Sequence, residues 1–175
     1  NLPQQTTGIP GYPCYRTLAE TYATAETLAQ TYPTLASWID IGDSWQKAHS
    51  DGGSDLRVLR LTNAARSGTK PKLFIMASVH AREYAPAELA TRFAEKLLRE
   101  YGSDPDITWL VDDHEVHLLL QANPDGRSLA ETRANSSYIW WRKNTDQDTC
   151  VLDPLSRGVD LNRNFDFLWG CCGGS

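Results

Sequence analysis

His80 and Glu83 lie three residues apart in His80-Ala-Arg-Glu83, directly behind the apolar run Lys72-Leu-Phe-Ile-Met-Ala-Ser-Val79. An imidazole and a carboxylate at that spacing on a turn can converge on one metal ion. Zinc accepts both donor types, and a catalytic zinc keeps one position open for water. The plainer reading is a surface histidine and a glutamate favoured at a helix start by the helix dipole. Their position weighs against it. The run reads as a short buried strand, with Lys70-Pro71 in front and a helical pattern behind. The pair therefore sits where a strand ends and a helix begins, the edge at which open α/β sheets bind ligands.

Further motifs follow in order. Asn123-Pro-Asp-Gly126 comes after the strand-like Val116-His-Leu-Leu-Leu-Gln121. Trp140-Trp141-Arg142-Lys143 comes next, then Gly158-Val-Asp-Leu-Asn162-Arg163-Asn164-Phe165, about 75 residues beyond Glu83. Together with His80-x-Arg82-Glu83 these resemble the zinc carboxypeptidases of the carboxypeptidase A/B type. One such motif is weak evidence; four in the right order make coincidence a poor explanation. The resemblance runs from about Tyr15 to Ser175. It implies an α/β fold, a three-layer α/β/α arrangement around a mixed, mostly parallel central sheet, of which residues 1–175 form the N-terminal part of one catalytic domain.

The resemblance also assigns roles. His80 and Glu83 become ligands of one zinc ion, in a family set of two histidines and one glutamate. Arg142 becomes the group that stabilises the oxyanion, since a guanidinium aimed at the scissile carbonyl meets charge that appears only in the transition state. Its alternative is a solvated arginine in a tryptophan-rich loop. Asn162 and Arg163 resemble the clamp for the substrate's terminal carboxylate. A planar guanidinium binds a carboxylate bidentately, although Asn-Arg-Asn is equally good turn chemistry. Arg82 resembles a residue that contacts substrate further from the cleaved bond. The indoles of Trp140 and Trp141 read as packing that positions the loop, and Asn123-Pro-Asp-Gly126 as a scaffold turn. His49, His114 and His117 read as structural. Two departures from the family concern the outer subsites. The loop Gly42-Asp-Ser-Trp-Gln-Lys47 lacks the Glu-Gly-Arg of close relatives, and Ile139 stands where some animal members carry an arginine.

The elements that must hold these residues are legible in outline. Residues 1–16 are rich in proline and glycine and read as an irregular lead. Thr17-Leu-Ala-Glu20 has capping-box form and opens a helix to about Tyr32, stopped by Pro33. Trp38-Ile-Asp-Ile-Gly42 and Leu56-Arg-Val-Leu-Arg-Leu61 read as strands, with Asp51-Gly-Gly53 as the turn between. Pro86 suits a first helical turn. Leu89, Phe93 and Leu97, with Ala90, Ala94 and Leu98, predict the buried face of that helix, which Gly102 closes. Residues 106–111 form a further short helix, and 116–121 the fourth strand. Alternating strands and helices predict a layered α/β domain.

Bulk properties exclude some functions. The 175 residues carry a net charge of −5 and no concentrated basic stripe, which argues against nucleic acid and anionic membranes as partners. No run approaches the ~18 apolar residues of a membrane span. Asn1-Leu-Pro-Gln-Gln lacks the basic start and apolar stretch of a signal peptide. Cys14, Cys150, Cys171 and Cys172 form no Cys-x-x-Cys pair, so disulfides in a secreted or periplasmic enzyme are the better reading than a structural zinc. Neighbours such as Cys171 and Cys172 do not readily bond each other, and the connectivity stays open.

The expected activity is removal of one residue from the C-terminus of a peptide or protein. Two alternatives are a cell-wall muropeptide peptidase of the same fold and a zinc-lacking module that grips a C-terminus. In the family the third zinc ligand, the general-base glutamate and the tyrosine of the closing loop lie beyond the equivalent of Ser175. The sequence therefore predicts an unpaired apolar sheet edge and a C-terminal companion fragment of the same protein, with nicking at Gly173-Gly-Ser175.

Overall fold

The Thr17 hydroxyl accepts from the Glu20 amide at 3.1 Å, and Glu20 Oε2 accepts from the Thr17 amide at 2.9 Å. This reciprocal capping box satisfies two amides that the first helical turn leaves without partners. It opens α1, Leu18–Thr31, as the sequence predicts. The computed structural model describes residues 7–49, 52–132, 137–148 and 157–167. After α1 come β1 (Ala36–Asp43), α2 (Trp45–His49), β2 (Asp55–Leu61), β3 (Lys72–Met76), α3 (Tyr84–Glu100), α4 (Pro105–Asp113), β4 (Glu115–Leu119) and α5 (Pro124–Thr132). Two short 3-10 turns, Ser137–Trp140 and Leu161–Arg163, lie near the motifs.

The strand order is β1-β2-β4-β3, in a mixed sheet with helices on both sides. β1–β2 and β2–β4 are antiparallel, and β3–β4 is parallel. The described strands thus carry more antiparallel pairing than a mostly parallel sheet. Connection length explains the split. β1 returns to β2 through a short loop containing α2, whereas β3 reaches β4 through α3 and α4, and parallel neighbours need such a crossover. Leu59, Leu61, Val116, Leu118 and Leu120 from the sheet side pack with Leu28, Ala94, Leu97, Leu98 and Val111 in one core.

Three expectations change. β3 is an edge strand, and its Phe74 is 57% exposed, with Leu73 and Met76 also open. The apolar run, which reads as a buried strand, is therefore an open edge among the described residues. The unpaired apolar edge itself was expected, and among the described residues no strand pairs on the outer side of β3. Leu89 is 72% exposed, so it does not belong to the buried face of α3. That face instead includes Glu88 and Glu95, turned inward by the buried Arg16. Asn123-Pro-Asp-Gly126 is a helix start. Asn123 Oδ1 caps the Gly126 amide at 3.1 Å, and Pro124 occupies the first helical position.

Candidate active site

β3 ends at Met76, and Ala77 continues its ladder by donating to the Leu119 carbonyl at 2.9 Å. The chain then turns sharply. Ser78 is buried with φ of 54°, in the left-handed region that side chains with a Cβ avoid, and its Oγ has no partner. Strain of this kind persists where the surroundings over-determine it. Two residues later His80 is 6% exposed, and Glu83 is the N-cap residue of α3. The strand end and helix start therefore place this pair as the sequence predicts.

The ring of His80 is held at both nitrogens. Nδ1 lies 2.8 Å from Glu83 Oε1, and Nε2 lies 3.2 Å from Asp160 Oδ1. Asp160 is buried and acts as a hub. Its Oδ1 also accepts from the Asn162 amide at 2.9 Å, and its Oδ2 accepts from Arg142 Nε at 2.8 Å. Burial pushes the Asp160 carboxyl up. The Arg142 hydrogen bond, the Asn162 amide and the charges of Arg142 and His80 outweigh that and hold it below the usual aspartate value. It is therefore an anion set against Nε2 of His80. The His80 imidazole and the Glu83 carboxylate at Nδ1 are donor types that zinc accepts, and a carboxylate at the other ring nitrogen is an arrangement that orients a zinc-bound histidine. Among the described residues no group of three or more His, Cys, Asp or Glu side chains is placed to hold a metal ion together.

Arg142 is brought to the same place. Its Nη1 lies 3.8 Å from Glu83 Oε1, and its carbonyl accepts from the Ala81 amide at 3.2 Å. The loop carrying it is pinned on three sides. Asn123 Nδ2 donates to the Lys143 carbonyl at 2.9 Å and reaches the Val79 carbonyl at 3.4 Å. Trp141 is buried, stacks on Tyr138 and donates Nε1–H to the Asn144 carbonyl. Asn144 Oδ1 accepts from the Val159 amide at 2.7 Å. Gly158 makes that approach possible, because its φ is +89° and a Cβ there would collide with the Asn144 carbonyl. Trp140 differs from Trp141. It is 72% exposed, so only one of the two indoles packs.

The remaining sequence candidates are less tightly held. Asn162 and Arg163 form the 3-10 turn capped by Asp160, and both side chains are exposed. Arg163 Nη1 donates to the Asn162 carbonyl. Arg82 is exposed and donates to the Trp140 carbonyl at 3.4 Å. His49, His114 and His117 contact Trp45, Trp109 and Glu115 respectively, away from this cluster. Asp160 carried a signal that sequence reasoning passed over: it precedes Asn162 by two residues, where a capping aspartate belongs.

Residues 21–175 match the zinc carboxypeptidase family model. This chain belongs to the zinc carboxypeptidase family. It is 32% identical over 164 residues to a zinc carboxypeptidase of Saccharothrix mutabilis subsp. capreolus, covering 93% of this chain and 35% of that protein. It is 34% identical to mouse carboxypeptidase A2, with 92% and 35% covered. The solved structure of thrombin-activatable fibrinolysis inhibitor superposes with a TM-score of 0.74 at 26% identity, over 89% of this chain and 36% of that one. The chain thus spans about a third of the length of these zinc carboxypeptidase relatives. Cys14 is exposed and pairs with no cysteine among the described residues. Cys150, Cys171, Cys172 and the Gly173-Gly-Ser175 segment lie outside them.

Proposed function

We propose that this chain is the N-terminal part of a zinc-dependent carboxypeptidase domain that hydrolyses the last peptide bond of peptides and proteins. The observation that carries this reading is the buried His80 ring, held by anionic Asp160 and facing Glu83. His80 Nδ1 and the Glu83 carboxylate are the ligands that would hold one zinc ion. Bound there, zinc supplies an acidified water and a polarised carbonyl.

The chain's own residues divide the remaining work. Asp160 lies against Nε2 of His80 and orients the ring. Arg142, anchored through Nε and with Nη1 3.8 Å from Glu83 Oε1, offers its guanidinium charge to the oxyanion of the tetrahedral intermediate. Asn162 and Arg163 grip the substrate's free carboxylate by amide and guanidinium donors. Arg82 contacts substrate further from the cleaved bond. The third ligand, the general-base glutamate and the closing tyrosine belong to the remainder of the domain, either continuous with this chain or a companion fragment of the same protein. The enzyme works outside the cytosol, with its cysteines in disulfides.

The test uses the whole domain. Metal analysis is expected to give one zinc per molecule. N-blocked peptides with a free C-terminus are expected to lose their last residue, while amidated ones resist. A metal-free protein that still binds free C-termini would indicate a binding module. Release from muropeptides alone would assign the cell-wall activity.

A further inference from the structure

Among the described residues Arg127 is the largest side chain that the fold buries completely, at 0% exposure. No role in the proposed chemistry involves it. Its Nε pairs with Glu131 Oε2 at 3.2 Å, one helical turn along α5. Its Nη2 donates to the Arg16 carbonyl at 3.1 Å, and its Nη1 to the Glu83 carbonyl at 3.3 Å. The guanidinium carbon stands 4.3 Å from the centre of the Tyr84 ring. All three nitrogens therefore have a partner, and one face of the fork lies on an aromatic ring.

Two of those contacts fall on Glu83 and the residue after it. Glu131 in turn accepts from the Leu18 amide, and Arg16 pairs with Glu88 and Glu95 on α3. The start of α1, α5 and the first turns of α3 are thus joined by one buried charged network. Such a network is a poor source of stability. Burial pulls the Arg127 guanidinium below its ordinary value and pushes the Glu131 carboxyl up, each against their mutual attraction. Desolvation commonly cancels the Coulombic gain of a buried pair, and its best-attested use is to fix a geometry. Here the geometry fixed is that of the Glu83 backbone.

We propose that Arg127 is a positioning residue for the metal-ligating turn. By clamping the Glu83 carbonyl and the Tyr84 ring, it holds the Glu83 carboxylate opposite His80 and so sets the affinity of the site for its metal. The proposal rests on the reading of His80 and Glu83 as ligands. A lysine at 127 keeps a charge for Glu131 but has no planar fork to reach Arg16 and Glu83 together.

The test is zinc affinity of the complete domain by chelator competition, alongside thermal melting. Arg127→Lys is expected to weaken zinc binding by about 10- to 100-fold, the range usual for groups that orient a ligand. Glu95→Gln breaks the same network away from Glu83. It is expected to lower the melting temperature while leaving zinc affinity within about twofold. Tyr84→Leu keeps Arg127 paired with Glu131 and removes the ring beneath it, together with the Tyr84 hydroxyl bond to the Ala130 carbonyl and the ring contacts with Tyr12 and Tyr15. It provides the answer if Arg127→Lys fails to fold, with an expected loss of about 3- to 10-fold. Wild-type zinc affinity in folded Arg127→Lys, or in Tyr84→Leu should that stand alone, would overturn the proposal. So would equal losses in Arg127→Lys and Glu95→Gln, which would make the effect one of general stability. If the wild-type domain binds no zinc, the ligand reading itself fails, and that outcome is separate from the others.

Discussion

The turn at His80–Glu83 and the turn at Asn162–Arg163 are built on opposite terms. The first is tightly anchored, with His80 and Ala81 buried although Arg82 is exposed and Glu83 partly so. His80 is bonded at both ring nitrogens, Glu83 is clamped at its carbonyl, and the Ala81 amide is tied to the Arg142 loop. The second is exterior. Its backbone is held through Asp160, and the Asn162 and Arg163 side chains are exposed, with Arg163 Nη1 donating to the Asn162 carbonyl. A ligand that must hold an ion in one geometry needs a rigid shell. A clamp that must admit and release a peptide end needs donors that are positioned but not consumed. Asp160 touches both, because one carboxylate faces His80, anchors Arg142 and caps the turn that carries the proposed clamp.

The largest effect expected is at the His80–Glu83 turn. His80→Ala or Glu83→Ala should abolish stoichiometric zinc in the complete domain while the fold persists in circular dichroism. Zinc retained at the site by either variant would end the distinction between the two turns. Arg142→Ala should lower kcat by on the order of 10²-fold or more with little change in KM, since its contact forms in the transition state. A change confined to KM would move Arg142 to the clamp. Arg163→Ala should raise KM by about 10- to 100-fold, the worth of a charge-assisted hydrogen bond at roughly 1.5–3 kcal/mol. Zinc content should not move, and melting should shift by less than about 0.5 kcal/mol, as for other surface changes. A loss of zinc there would show that the exterior turn is part of the metal shell.

Two smaller effects sharpen the contrast between strained and relaxed regions. Ser78→Gly should stabilise the domain by about 1 kcal/mol, because glycine tolerates the positive φ and removes a buried hydroxyl without a partner. Urea denaturation measures it. At the start of α1, burial pushes Glu20 up, but the Thr17 and Gly8 amides and the Thr7 and Thr17 hydroxyls hold it at about 2. A depressed carboxylate contributes stability that is full above its unfolded value of 4.5 and is lost as pH falls toward about 2. Glu20 is partly exposed, so the contribution is about 1 kcal/mol, typical of a cap. Glu20→Gln should flatten the melting profile over that window.

Some of this was legible in the residues and some was not, for definite reasons. The capping box at Thr17-Leu-Ala-Glu20 is a local device, so its letters suffice. The strand-to-helix change at His80 is also local, and it located the candidate ligands. Leu89 misled because an apolar residue at helical spacing says nothing about which way the face turns. That was decided by Arg16, which lies 72 residues before Glu88 in the chain and draws it inward. Arg127 reads in the sequence as an ordinary member of an i, i+4 pair with Glu131. Only tertiary packing takes it out of water and sets it against Glu83. The β3 run reads as buried by its apolar composition, and among the described residues it lacks a strand on its outer side.

The bond between His80 and Asp160 joins residues 80 positions apart. Contacts of that span close a long loop before they return any energy, so they belong to the late part of folding. The consequence is one of timing. A chain still in motion has His80 and Glu83 close together but lacks the carboxylate that orients the imidazole ring. Capture of the ion should therefore follow assembly of the sheet, not guide it. Refolding in the presence and absence of zinc should give the same early rate, with the metal acting only on the final step.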